Sequence, residues 1–142
     1  MSKSPNILFL FTDQHRADWV GTNSDLPLHT PNLDRLSSEG IQFTKCVTPS
    51  PLCAPARASL ASGRCYDRCG VVDNSESYPL DQPTFYQVLR DKGAYHVAGC
   101  GKFDLDKPTL KWNLDGSRRV REWGFTEGID NEGKLDGSIS YR

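Results

Sequence analysis

The stretch Pro51-Leu52-Cys53-Ala54-Pro55-Ala56-Arg57-Ala58-Ser59-Leu60-Ala61-Ser62-Gly63-Arg64 decides how this chain is read. It sets a thiol four residues before a guanidinium, with a proline between them and an alanine-rich segment behind. Proline is tolerated in a first helical turn, where its missing N–H has no partner to lose. Glycine is a common C-terminal stop. The spacing therefore predicts a helix that begins near Pro55 and ends at Gly63. Residues i and i+4 share a helix face, so Arg57 comes round beside Cys53. A cysteine at a helix start lies where free N–H groups and the positive dipole end favour an anion. A nucleophile-type residue and a cation facing one small oxyanion is the layout of a site for an ester of phosphate or sulfate.

Working outward, Ile7-Leu8-Phe9-Leu10-Phe11 is a continuous apolar run that ends in Thr12-Asp13. Such runs suit strands buried on both faces, so residues 6–12 are expected as an interior parallel strand. Ligands of open α/β sheets bind beyond the carboxyl ends of strands, which puts Asp13 where a functional carboxylate belongs. Thr30 and Pro31 open a helix, with Leu33 and Leu36 facing inward and Gly40 ending it. Ile41-Gln42-Phe43 alternates and opens a second strand. The loop Thr48-Pro49-Ser50-Pro51 delivers Cys53 to its helix. A further helix runs from about Thr84 to Lys92 and closes at Gly93. Tyr95-His96-Val97-Ala98-Gly99 reads as another strand, with Lys102 just past its end. Strands alternating with helices predict an α/β fold, a mostly parallel sheet flanked by helices. Residues 105–142 have no regular period and read as an irregular excursion, with Trp112, Trp123 and Phe125 as isolated anchors.

The composition sets bounds. The 142 residues are enough for one domain with a core, at 37% hydrophobic and 25% charged. A net charge of -1 gives no reason to expect nucleic acid as a partner. No apolar run approaches a membrane span, and no basic segment precedes an apolar one as in a secretory signal. The five cysteines, at 46, 53, 65, 69 and 100, are an odd number. Free thiols in a reducing compartment follow, and the cytoplasm is the expected location.

The twelve residues from Cys53 to Arg64 resemble the signature of the sulfatase family, within the alkaline-phosphatase-like superfamily. That signature reads Cys-x-Pro-x-Arg, a small-residue stretch, then Thr/Ser-Gly-Arg. Other segments agree in order. Asn6-Ile7-Leu8-Phe9-Leu10-Phe11-Thr12-Asp13-Gln14 is similar to the family's first strand with its metal-binding aspartate. Thr30-Pro31-Asn32-Leu33-Asp34-Arg35-Leu36 is similar to its first helix, and Gly101-Lys102 to the lysine after a later strand. The resemblance covers roughly residues 5–104. It implies an alkaline-phosphatase-like fold and a metal-dependent hydrolase of sulfate esters, with phosphonate or phosphate esters as alternatives. It also implies that Cys53 is oxidised to formylglycine. The hydrated aldehyde offers one hydroxyl as nucleophile and a second whose deprotonation expels the bound sulfate. Arg57 and Lys102 are implied as catalytic contacts.

The implied metal ligands are Asp13, Gln14 and the modified Cys53. The ion would be Ca²⁺, or alternatively Mg²⁺ or Mn²⁺, since carboxylate and amide oxygens suit hard cations. Many sulfatases carry two consecutive aspartates here. The Asp13-Gln14 pair resembles the branch of choline sulfatases and phosphonate monoester hydrolases. The family's Gly-Lys-x-His becomes Gly101-Lys102-Phe103-Asp104, and no role follows for Asp104. Sulfatases are several times longer than this chain, which reads as an N-terminal piece, 1–142, inactive by itself and needing the C-terminal part of the same enzyme.

Plainer readings stand beside these. Cys53 could be an inert core thiol, Asp13 a turn cap, Lys102 a solvated lysine, and Asp73-Asn74 a turn. His15 and Arg16 could line the pocket mouth or be solvated. The rival function is a non-catalytic zinc- or anion-binding module. It would use Cys46, Cys65 and Cys69, with His96 as an alternative ligand, although structural zinc wants four ligands.

Overall fold

A computed structural model describes residues 4–23, 25–106 and 119–130. Three helices and two strands form among them: α1 Pro31–Glu39, α2 Cys53–Ser62, α3 Phe85–Asp91, β1 Ala98–Gly101 and β2 Glu127–Asp130. The strands pair in parallel, Ala98 opposite Glu127 through Gly101 opposite Asp130. A small parallel sheet with helices is an α/β arrangement. The chain divides into two compact units, Met1–Cys46 and Val47–Arg142.

In the second unit each helix has a local cause. The backbone of α2 turns out of the helix at Gly63, whose left-handed φ of 65° carries no Cβ penalty, and the Gly63 N–H returns to the Leu60 carbonyl. Ala54, Ala58 and Ala61 are fully buried, an i, i+4, i+7 stripe of small side chains that lets α2 sink into the core. Thr84 starts α3 with a capping box: its hydroxyl accepts from Gln87 N, and the Gln87 amide oxygen accepts from Thr84 N. The same hydroxyl donates to the Trp123 carbonyl.

The strand expected over residues 95–99 forms three residues later. The end of α3 is the reason. Gly93 N donates to the Val88 carbonyl, Tyr95 N to the Leu89 carbonyl, and Ala94 takes a left-handed φ of 53°. The backbone at 93–95 is thus still wrapped onto the helix and free for a ladder only from about Val97. Val97 then exchanges bonds with Thr126, and Lys102 still falls just past the strand's end.

The described part of the segment read as an irregular excursion supplies β2 and buried residues that include Leu105, Asp106, Val120, Trp123 and Phe125. Phe125 packs on Tyr86 and Phe103, with ring centroids 4.4 Å and 4.6 Å apart. Gly99 is glycine because a Cβ there would stand 2.6 Å from Phe125 and 2.7 Å from Phe103. Trp112 lies outside the described residues.

The first unit departs further from expectation. In α1, Thr30 precedes Pro31 and Gly40 ends the helix, as its sequence signals. The Thr30 hydroxyl accepts from Gly21 N and donates to the Asp34 carboxylate, tying the turn at 21–23 to the helix start. Leu33 and Leu36 do not face inward; both are exposed. Residues 6–12 and 41–43 form no strand. Ile7, Leu8, Phe9, Leu10 and Phe11 are between 50% and 83% exposed. A strand buried on both faces needs a hydrogen-bonded neighbour, and local sequence cannot supply one.

Candidate functional site

Cys53 is the first residue of α2 and half-buried. Its Sγ donates to Asn74 Oδ1 at 3.3 Å, and the same oxygen accepts from Ala54 N at 3.0 Å. One of the helix's open N–H groups is thus capped from 20 residues away, and the cysteine is fixed to the cap. The cap has its own support. Val72 N and Asp73 N both donate to the Glu76 carboxylate. Ser75 donates to Asp73 Oδ1 through its N–H and its hydroxyl, each at 2.9 Å. These bonds hold the Asp73 carboxyl below its ordinary pKa, the Ser75 N–H first and its hydroxyl second. Residues 73 and 74 thus form the expected turn, and the turn presents an amide to the start of α2.

One turn along α2 from Cys53, the Arg57 guanidinium donates through Nη1 to the Lys102 carbonyl. This ties the signature helix to the end of β1. The Lys102 ammonium is 3.3 Å from Asp104 Oδ2, and the Asp104 side chain is fully buried. Asp104 holds a left-handed φ of 52°, a conformation that short polar side chains tolerate best after glycine. Tyr86 lies close enough to Arg57 to feel its charge. Burial pushes its phenol up to about 12, and the cation opposes that only in part. Asn74, Cys53, Arg57, Lys102 and Asp104 therefore form one continuous set in the second unit. Arg64, at the end of the signature, is bonded instead to Gln82 before α3.

Asp13 and Gln14 lie in the first unit, and both are exposed. Gln14 takes a left-handed φ of 55°. Of the neighbours read as a possible pocket mouth, Arg16 pairs with Asp18, and the His15 ring meets the Trp19 carbonyl at 3.4 Å. Among the described residues no group of three or more His, Cys, Asp or Glu is placed to hold a metal ion. Cys69 of the zinc alternative is buried, with its thiol 3.2 Å from both the Tyr66 and Val71 carbonyls. Its other candidate His96 faces Glu127 at 3.1 Å.

The match to known proteins covers nearly all of this. The sulfatase family model matches residues 5–135. The chain belongs to the sulfatase family. It is 36% identical over 104 residues to an N-acetylglucosamine-6-O-sulfatase of Bacteroides thetaiotaomicron, covering 73% of this chain and 18% of that protein. A choline-sulfatase of Rhizobium meliloti is 38% identical over 104 residues, 73% of this chain and 20% of the relative. Arylsulfatase A of Bos taurus is 37% identical over 107 residues, 71% and 21%. The chain thus spans about a fifth of the length of the curated relatives it matches.

Two residues join this set without a role drawn from the sequence. Asn74 reads there as part of a turn, and its capping contact lies 21 residues away. Asp104 stands where the Gly-Lys-x-His pattern has histidine, and that departure is its sequence signal.

Proposed function

We propose that this chain carries the nucleophile and anion contacts of a sulfatase-type hydrolase acting on sulfate esters, with phosphonate esters as a second substrate class. The observation that carries this is the tie between Cys53 and Arg57 on α2 and Lys102 at the end of β1, within the family's signature. Cys53 is the precursor of the nucleophile. A formylglycine at that position fits its surroundings: the Cys53 thiol already donates to Asn74 Oδ1, and a hydroxyl of the hydrated aldehyde is a stronger donor to the same acceptor. When formed, that group supplies the nucleophilic oxygen that a bare thiol does not.

In this reading Arg57 and Lys102 place positive charge where it develops on the transferred group. Arg57 is oriented by its bond to the Lys102 carbonyl, so the two cations keep a fixed relation. Asn74 holds residue 53 at the first turn of α2. Asp13 and Gln14 are the chain's metal donors, oxygens that suit Ca²⁺, Mg²⁺ or Mn²⁺. Ca²⁺ takes about 6–8 oxygens and Mg²⁺ about six, so two side chains do not complete a site. The remaining ligands belong to polypeptide outside residues 1–142. The 142-residue chain assayed by itself is accordingly expected to show no enzymatic turnover. The free thiols support the cytoplasm as the compartment. Among the described residues no helix is long and apolar enough to cross a membrane.

The test is a peptide map across position 53 of the protein made together with a formylglycine-generating enzyme, followed by aryl sulfate and phosphonate ester assays of the sulfatase-length protein. Conversion at 53, and turnover abolished in Cys53→Ala with folding intact, are expected. Unmodified Cys53 with full activity, or an active Cys53→Ala variant, defeats the assignment.

A further inference from the structure

The pairing of Lys102 with Asp104 bears on which anions the site accepts. Lys102 is the residue read above as an oxyanion contact, and its side chain is 18% exposed. Its ammonium lies 3.3 Å from the carboxylate of Asp104, whose side chain has no exposure to solvent. Taking a carboxylate out of water is costly unless a cation compensates it. The backbone holds this carboxylate in a left-handed conformation, so its position is set by the fold. The cation at 102 and the anion at 104 therefore act on any bound ligand as a nearly cancelled pair.

We propose that Asp104 is a specificity-determining positioning residue: its carboxylate, ion-paired to Lys102, lowers the positive charge of the pocket so that singly charged esters are taken in preference to doubly charged ones. The proposal rests on reading Arg57 and Lys102 as anion contacts. A sulfate monoester, a phosphonate monoester and a phosphodiester each carry one negative charge. A phosphate monoester carries two near neutral pH. The energy of a ligand in the field of Asp104 scales with the ligand's charge, so the carboxylate's repulsion is twice as large for a dianion. In fold-change terms, removing that charge improves dianion binding by the square of its effect on a monoanion.

The experiment uses this chain and two non-reacting probes at constant ionic strength. Inorganic sulfate is the dianion and methanesulfonate the monoanion, both read by calorimetric or NMR titration. Asp104→Asn keeps the side-chain shape and the tolerance for a left-handed backbone while removing the charge. If methanesulfonate binds about threefold tighter in Asp104→Asn, sulfate is expected to bind about ninefold tighter. A merely structural role would change both probes by the same factor. Asp104→Gly, the residue most tolerant of a left-handed backbone, forms the second arm. It removes the same charge with Lys102 in place, and the same squared relation is expected. This arm decides the matter if Asp104→Asn does not fold. Equal changes for the two probes, or weaker sulfate binding once the charge is gone, overturn the role of Asp104 alone. Absence of sulfate binding in all three proteins overturns the anion-contact reading as well.

Discussion

Among the described residues, the large apolar side chains of the first unit face solvent, whereas the second unit gathers a buried core around Trp123, Val71 and Val120. Leu8 is 83% exposed and Ile41 82%, and no described residue of the first unit is buried. Trp123, Val71 and Val120 of the second unit are at most 2% exposed. The first unit does not lack apolar residues, since it holds 7–11, the most apolar run in the chain. The difference is in partners. The second unit carries its own: the alanine stripe of α2, the aromatic cluster around Phe125 and a second strand for β1. The first unit is held by contacts such as the Gly21–Thr30–Asp34 chain and the bond from Gln42 to Asn23. Hydrophobic side chains stabilise only where something covers them.

The strongest test of that contrast is Trp123→Ala. Trp123 is 1% exposed and packs near Phe103, with centroids 6.4 Å apart. Emptying such a site costs about 3–5 kcal/mol. Urea unfolding followed by near-ultraviolet circular dichroism reads the loss. A cost below about 1 kcal/mol would mean that residues 119–130 are not part of the second unit's core.

Tyr86 sharpens the comparison through pH. Its folded pKa, about 12, lies above the ordinary value of 10.0 because burial disfavours the phenolate. A raised pKa contributes stability that is complete below the unfolded value and is lost as pH rises through the folded one. Between pH 10 and about 12 the unfolded chain loses this proton first. Stability then falls by at most about 1.4 kcal/mol per pH unit from this group. Tyr86→Phe is expected to flatten that part of the alkaline limb. An unchanged slope would show that Tyr86 is solvated in the native protein.

The next effect is smaller. Thr84 is buried, caps α3 and donates to the Trp123 carbonyl, so it joins a local signal to a distant element. Thr84→Ala is expected to cost about 1–2 kcal/mol by urea titration. Thr84→Ser, which keeps the hydroxyl, is expected to recover most of it. Equal losses in the two variants would assign the effect to the methyl group's packing.

What the sequence disclosed follows the same division between local and distant causes. The starts of α1 and α3 and the stop of α2 were legible because Thr30-Pro31, Thr84 and Gly63 act within a single turn, whereas α2 starts at Cys53, two residues before the proline that signals it. Lys102 was placed correctly at a strand end even though β1 began three residues late, because the delay came from the bonds of residues 93–95 back onto α3. The segment 6–12 was read as a strand from its apolar run alone, and a run does not supply the neighbour that a strand requires. Trp123 and Phe125 looked like isolated anchors because their partners lie 20 or more residues away. In the candidate set, the placement of Cys53 and Arg57 one turn apart on α2 follows from their i, i+4 spacing. The contacts of Asn74 and Asp104 do not follow from any spacing, since a cap from a remote turn and an ion pair across a left-handed residue leave no periodic trace.

The smallest expected effect bears most directly on the first unit. Leu8→Ser and Leu36→Ser each replace an exposed apolar side chain, 83% and 59% accessible respectively. A group already in water loses no burial when it is shortened, so each change is expected to stay within about 0.5 kcal/mol in urea unfolding of this chain. Neither position has a cap or a left-handed backbone to disturb. Removing apolar surface from the exposed run is also expected to raise solubility, since contiguous exposed apolar patches promote association. A cost above about 1 kcal/mol for Leu8→Ser would mean that the run 7–11 is covered in solution. The two variants also separate two sources of cover. A cost at Leu8 alone points to the run acting as a strand, and a cost at Leu36 alone points to the outer face of α1 being packed.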